Sequence, residues 1–307
     1  MNPYTPWPGA SPPFLAGRQG DTKFVEGAFG QAKNGKIGMH PIFVGDPGVG
    51  KTTMLNYAVN LAKTEGWMVL SVEARAGYSV VNDLVDQVRS GLESISQDGK
   101  TESRIKALLS RIQSIQVSVL GSGAGVGLGR APQSSLLPVS QVFREIGDLA
   151  RERETKVVFS IDEMDQLSTD EMQLVLGAMH VANQTQSPLI VVGAGGNGLR
   201  AAMKLAKNYG DRFMLTKLQP LNYEEMEAAI ARPAEALGVT VAPDAMQLMT
   251  EAAKGIPADL QAIAFHAWNF ATDKKIDLQA AMDAHAEVAL DSQQLDSLDV
   301  NEYSGVS

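Results

Sequence analysis

Apolar and polar positions alternate along the chain in blocks that read as strand, loop and helix. Ile37 to Val44 is an apolar, strand-like run; Thr52 to Thr64 then sets Leu55, Ala58, Val59 and Ala62 on one helical face. Trp67 to Val72 reads as a second short strand, Val80 to Leu92 and Ile105 to Ile112 as helices, and Ile115 to Leu120 alternates like a strand. Beyond them, Val139 to Arg153 predicts a helix, Val157 to Ile161 a wholly apolar strand, Thr169 to Asn183 a helix, Leu189 to Val192 a strand and Phe213 to Leu215 a short one. Continuous apolar strands separated by amphipathic helices predict an α/β fold, a parallel sheet with helices on both faces.

After Pro220 the period changes. Tyr223 to Leu237, Pro243 to Ala253, Pro257 to Ala271 and Leu278 to Leu290 all read as helices, which predicts a small all-helical unit. The boundaries that follow are a proline-rich arm over 1–13, an α/β domain over 14–219, a helical domain over 220–290 and an exposed acidic tail over 291–307. Prolines deny backbone donors in the arm, so an extended segment is expected there. Glycine at every second position between Gly121 and Gly129, followed by Pro132 and Pro138, predicts a flexible excursion over 121–138.

Composition narrows the function. Of 307 residues 44% are hydrophobic and 20% charged, as in a folded globular chain. A net charge of −9 disfavours broad DNA binding by this chain alone, and the absence of cysteine excludes thiolate, disulfide and cysteine-based metal chemistry. No run of about 18 apolar residues and no leader-like N-terminus occur, so a cytoplasmic protein without membrane contact is expected. His40, His180, His266 and His285 lack metal-ligand spacing, and the methionines sit at helical spacing as core residues do.

The chemistry concentrates at two places. Gly45-Asp46-Pro47-Gly48-Val49-Gly50-Lys51-Thr52 fits G-x-x-x-x-G-K-[ST] between a predicted strand and a predicted helix. Glycines there let successive N–H groups and the helix N-terminus face phosphate oxygens, Lys51 reaches the β- and γ-phosphates, and Thr52 offers a hydroxyl to Mg²⁺; Thr53 closes the loop. Asp162 and Glu163 end an apolar strand, which suits one carboxylate for the metal and the next as general base toward water. No [NT]-K-x-D motif reads guanine, so ATP or ADP is expected rather than GTP.

Beside these stand Phe14-Leu15-Ala16-Gly17-Arg18, Gly193-Ala194-Gly195, Gly210-Asp211-Arg212-Phe213, Gly255-Ile256-Pro257, Leu260-Gln261 and His266-Ala267-Trp268-Asn269, in that order. From Phe14 to Leu290 the sequence resembles the bacterial AAA+ ATPases similar to origin-recognition and STAND-type P-loop ATPases. The resemblance implies an AAA+ module of the ASCE type, a parallel sheet domain followed by a helical lid, with nucleotide at their junction. It implies slow Mg²⁺-dependent ATP hydrolysis used to move the lid and regulate an unidentified protein partner, with homo-oligomerisation possible in such a family. A non-hydrolysing nucleotide switch or scaffold is the alternative, and an initiator-like DNA-associated ATPase the third reading.

The resemblance also assigns single residues. Sensor 1 falls on Asn197, the first side chain after the glycines that could orient water; a loop asparagine in a left-handed turn is the competing reading. Arg212 matches the position of an arginine that reaches a neighbour's γ-phosphate, against a plain surface arginine. Arg18 matches an arginine near the nucleotide base, against an N-terminal structural salt bridge. Near Ala258-Asp259, where many relatives keep a sensor 2 arginine, there is none. The winged-helix DNA-binding domain of many relatives is not expected after Leu290.

Overall fold

The computed structural model describes residues 1–7, 9–80, 83, 84, 87, 88, 90, 103 and 139–303, with the backbone alone at 139–142 and 292–303. The elements expected over 105–112 and 115–120, the excursion over 121–138 and most of the helix over 80–92 lie outside them. The described chain forms two compact units. One comprises Asp21–Asp46 and Met54–Lys217; the other comprises Met1–Gly20, Pro47–Thr53 and Leu218–Ser307.

The first unit is a five-stranded parallel sheet with helices on both sides. Its strands are β1 (Ile42–Val44), β2 (Met68–Glu73), β3 (Val157–Asp162), β4 (Leu189–Gly195) and β5 (Thr216–Lys217), ordered β2-β3-β4-β1-β5. β4 therefore lies between the strand leading to the glycine loop and the strand carrying the acid pair, the order expected of an ASCE sheet. Every residue of β4 is buried, as are Val157 to Ile161 in β3, because helices cover both faces. The helices are α1 (Gln19–Lys33), α2 (Lys51–Thr64), α3 (Val139–Glu152), α4 (Thr169–Thr185) and α5 (Leu199–Ala206). α4 starts at a capping box in which Ser168 accepts from the Glu171 N–H and Glu171 accepts from the Ser168 N–H.

The second unit holds α6 (Tyr223–Glu235), α7 (Pro243–Ala253), α8 (Pro257–Phe270) and α9 (Leu278–Tyr303), with the short strands β6 (Thr240–Val241) and β7 (Lys275–Ile276). Its core joins Ile230, Ala234, Met249, Leu260, Ile263, Ala264, Ala267 and Ala281. Pro243 and Pro257 open α7 and α8 at the first helical position, where the missing N–H costs no hydrogen bond.

The N-terminal arm packs onto this unit. Tyr4 is 2% exposed and donates its hydroxyl to the Ile230 carbonyl at 2.7 Å, while Asn2 Nδ2 donates to the Phe265 carbonyl and Thr5 N to Gln261 Oε1. Tyr4 and Trp268 meet edge to face, as do Trp7 and Phe265. Extended, proline-rich backbone leaves donors without ladder partners, and the Thr5 N–H finds its acceptor on the Gln261 side chain of α8.

Four expectations shift. The helical unit is not all helical, since β6 and β7 pair there in a two-stranded parallel sheet. β1 begins at Ile42 rather than Ile37, after Pro41, which has no N–H for the ladder. The last strand is Thr216–Lys217 rather than Phe213 to Leu215, because Gly210–Arg212 forms a 3-10 turn first. α9 continues past Leu290 to Tyr303, since no glycine or proline interrupts it, so most of the acidic segment is helical.

Candidate functional site

β1 is three residues long and gives directly onto Gly45. In the turn that follows, Gly48 has φ 74° and Gly50 φ 100°, conformations that a side chain would strain, and α2 begins at Lys51. The loop thereby curls so that the helix N-terminus closes it, the kind of arrangement that favours an anion. Gly48 is closely packed: a Cβ there would lie 2.8 Å from Ile256 Cγ2 and 3.2 Å from Ala258 Cβ. Ala258 N, in the first turn of α8, donates to the Gly48 carbonyl at 3.2 Å. The loop segment Pro47–Thr53 thus groups with the helical unit. Asp259, next in α8, has its carboxyl pushed above the usual range by desolvation, against a lowering influence of Lys254.

Arg18 is 6% exposed and directs Nη2 at two carbonyls, Val49 of the glycine loop and Gln219, each at 2.9 Å. A buried guanidinium needs several acceptors, and here backbone carbonyls supply them. These bonds tie Arg18 to the backbone of the glycine loop and of the chain leading into the helical unit. Gly17, at φ 67°, leaves no room for a side chain beside Glu225 and Leu221, which fixes the approach of Arg18.

Asp162 closes β3, and its Oδ1 accepts from the Glu163 N–H at 2.9 Å. Glu163 sits at φ 49°, ψ 44°, a left-handed conformation costly for a side-chain-bearing residue. This reversal turns Met164 into the core at 0% exposure and brings Asp165 to the end of β4. There Asp165 Oδ1 accepts from Gly196 N at 2.6 Å. A Cβ on Gly195 would lie 2.7 Å from the same oxygen, and one on Gly193 would strike Met164 Sδ. The glycines at the end of β4 are thus demanded by the acid-pair turn packed against them.

Register aligns these ends. Val44 is level with Gly195 and Ile161 with Gly193, so Gly45, Asp162 and Gly196 emerge at the same edge of the parallel sheet. Asn197, just beyond, donates Nδ2 to Asp46 Oδ1 at 2.6 Å. The edge collects the carboxyl-terminal groups at which open α/β sheets bind ligands.

A family model described as the AAA ATPase domain matches residues 15–192, more than half of the chain. The chain belongs to the AAA ATPase domain family. Among solved structures, the fold is similar to the Walker-type ATPase of Pyrococcus abyssi, at 15% identity and TM-score 0.57 over 94% of this chain and 76% of that one. The ORC1 protein of Aeropyrum pernix, solved in complex with DNA, matches at 15% identity and TM-score 0.57 over 92% of this chain and 68% of that one. The ORC2 protein of the same organism, solved as ADPNP–ADP complexes, matches at 14% and 0.57 over 92% and 71%. Comparison with curated protein sequences gives no match.

Within this AAA ATPase domain the expected residues separate into two groups. Gly45 and Asp46 share the sheet's carboxyl edge with Asp162, Glu163 and Asn197, while Arg18 binds the loop backbone at Val49. Arg212 stands apart. It precedes β5, at the amino end of the parallel strands, opposite the edge from which Gly45 and Asp162 emerge. Sequence reasoning passed over Asp165, whose only signal was a third acid two residues after the pair, and over Tyr4, hidden in a proline-rich segment. Among the described residues no group of three or more His, Asp or Glu side chains forms a metal site, and no helix is long and apolar enough to cross a membrane.

Proposed function

We propose that this AAA ATPase domain binds ATP with Mg²⁺ at the Gly45–Thr53 loop and hydrolyses it slowly. The observation that carries the reading is the emergence of the glycine loop and the Asp162–Glu163 turn at one edge of the sheet, a strand apart. Backbone N–H groups from Gly48 to Thr52, with Asp46, Pro47, Val49 and Thr53 completing the turn, would face the phosphates, and Lys51 would neutralise the β- and γ-phosphate oxygens. A hydroxyl and a carboxylate suit a hard divalent cation that takes its other ligands from phosphate and water, so Thr52 and Asp162 fit Mg²⁺. When bound, Mg²⁺ would stabilise the charge that develops on the phosphoryl oxygens. Glu163 would take the proton of the attacking water, and the strained backbone at φ 49° fixes its direction. Asn197 would orient that water as sensor 1, held by Asp46.

The packing of Gly48 against Ile256 and Ala258 supports a regulatory output, because a shift of the loop would be felt in α8. We read the turnover as driving a change between the sheet unit and the helical lid that regulates a protein partner. The lack of an arginine at Ala258–Asp259 favours a second reading, a switch that holds ATP or ADP and turns over negligibly. An initiator-like association with DNA is the third, drawing on the likeness to ORC1 and opposed by the net charge of −9. Arg212 can act on phosphate only toward another copy, since it lies at the opposite end of the strands. A second copy is therefore part of any role for it in hydrolysis. Calorimetry with Mg-ATP tests the binding site: Lys51→Ala should weaken affinity about tenfold or more. Unchanged affinity would remove the glycine loop as the site.

A further inference from the structure

At the amino end of the strands, where the chain enters β1 and β5, the sheet unit holds a cleft of about 400 Å³. Its wall is aromatic: the His180 and Tyr209 rings stack at 5.0 Å, and Phe213 meets both Tyr209 and His40 edge to face. Besides the imidazoles of His40 and His180, the side-chain donors among its described lining residues are the Arg212 guanidinium, the Asn183 amide and the Tyr209 hydroxyl. Asn183 spends its oxygen on His40 Nε2 at 3.0 Å, which leaves its Nδ2 hydrogens available. Among the described residues, neither the Arg212 guanidinium nor the Tyr209 hydroxyl has a hydrogen-bond or ion-pair partner. Among the described residues no carboxylate lines the cleft, although the chain as a whole is acidic.

Unpartnered donors on an apolar, ring-lined wall select a ligand with an anionic end and a flat apolar body. We propose that this cleft binds a small planar organic anion, an aromatic or heteroaromatic carboxylate, with its carboxylate on Arg212 and Asn183 and its ring against Tyr209 and Phe213. Among the described lining residues Arg212 supplies the only fixed charge. A guanidinium beside an aromatic wall binds a planar carboxylate better than it binds a compact inorganic anion, which would leave the ring faces uncovered. His40, 4% exposed, forms the floor in one fixed tautomer: Nδ1 accepts from the Val191 N–H at 3.0 Å and Nε2 donates to Asn183. That tautomer orients the Asn183 amide with its donors unspent. This role for Arg212 needs no second copy of the chain and is independent of the nucleotide reading.

Salicylate is a suitable probe, being planar, anionic and small enough for the cleft. Titration of the full chain by calorimetry, or by NMR of the aromatic side chains, should give saturable one-site binding with Kd below about 1 mM. Salicyl alcohol, the uncharged analogue, should bind about tenfold more weakly or worse, and Arg212→Gln should weaken salicylate by a similar factor. Tyr209→Phe keeps the ring and should cost only a few-fold, whereas Lys51→Ala should leave salicylate affinity unchanged because the glycine loop is elsewhere. Arg212 is exposed, so its replacement leaves folding intact, which thermal unfolding of the variant verifies. No saturable binding below about 10 mM, or equal affinity in Arg212→Gln, would overturn the proposal. Loss of salicylate binding in Lys51→Ala would relocate the anion to the phosphate loop and overturn it too.

Discussion

Asn197 donates its side-chain amide to Asp46 Oδ1 at 2.6 Å, joining the loop after β4 to the glycine loop after β1. Neither residue is adjacent to the other in sequence; their strands are neighbours in the sheet, and the pairing of Val44 with Gly195 sets the distance. A second bond, from Gly196 N to Asp165 Oδ1, ties the same loop to the acid pair. Asn197 is thereby held from both sides.

This double tether predicts a hydrolytic role that can be separated from a structural one. Asn197→Ala should lower kcat for ATP about tenfold or more with little change in KM, and Asp46→Ala should do nearly the same by releasing the amide. Asp46→Asn keeps the accepting oxygen and should stay within about twofold of wild type. Steady-state phosphate release, with the double alanine variant, gives the coupling; effects that add fully would mean that the two residues act separately.

Gly48 and Arg18 hold the glycine loop against the helical unit by different means. At Gly48, alanine adds both a strained φ of 74° and a Cβ 2.8 Å from Ile256, so Gly48→Ala should lower stability by about 2 kcal/mol and weaken nucleotide binding. Removing the Arg18 bonds to Val49 and Gln219 should cost about 3 kcal/mol, and Arg18→Lys should recover only part of that, since one ammonium cannot reproduce the forked geometry. Urea unfolding of both variants, read at the midpoint, measures each loss.

Much of this site was legible from local pattern alone. The apolar run Val157 to Ile161 reads as a buried strand because both faces are covered, and the glycine loop carries its conformational demands in Gly48 and Gly50. The helices opened by Pro243 and Pro257 start where the prolines require. What stayed hidden depends on partners distant in the chain. Asp165 matters only because β4 lies beside β3, and Tyr4 reaches Ile230 across 226 positions. The glycines at the end of β4, which precede Asn197, are the space into which Met164 and Asp165 pack.

Burial holds the His40 imidazole neutral, pushing it from its ordinary 6.5 down to about 4, against the opposing hydrogen bonds to Asn183 and Met179. The folded state therefore binds the proton less readily than the unfolded chain. His40 contributes stability that is complete above about pH 6.5 and is lost as pH falls toward 4, a loss approaching about 3 kcal/mol. His180, Tyr209 and Arg212 share its cleft, so the comparison must be made within one background. Urea midpoints from pH 7 to pH 4 should fall steeply in wild type and less in His40→Gln; equal slopes would assign the acid sensitivity to other groups.

The arm's anchoring gives a separate expectation. Tyr4→Phe removes one buried hydrogen bond and should cost about 1 kcal/mol, whereas Tyr4→Ala also empties a core position and should cost about 3–5 kcal/mol. Thermal unfolding monitored through Trp268, in edge contact with Tyr4, reads both changes.

In the proposed reaction Glu163 activates water against ATP held by the glycine loop. Phosphate release from saturating Mg-ATP, followed alongside ATP affinity in wild type and Glu163→Gln, tests it most directly. Wild type should release phosphate slowly above background, Glu163→Gln should lose about a hundredfold or more of that rate, and ATP affinity should persist in the variant. Equal release from both proteins, or wild-type release indistinguishable from background over many concentrations of protein, would contradict it.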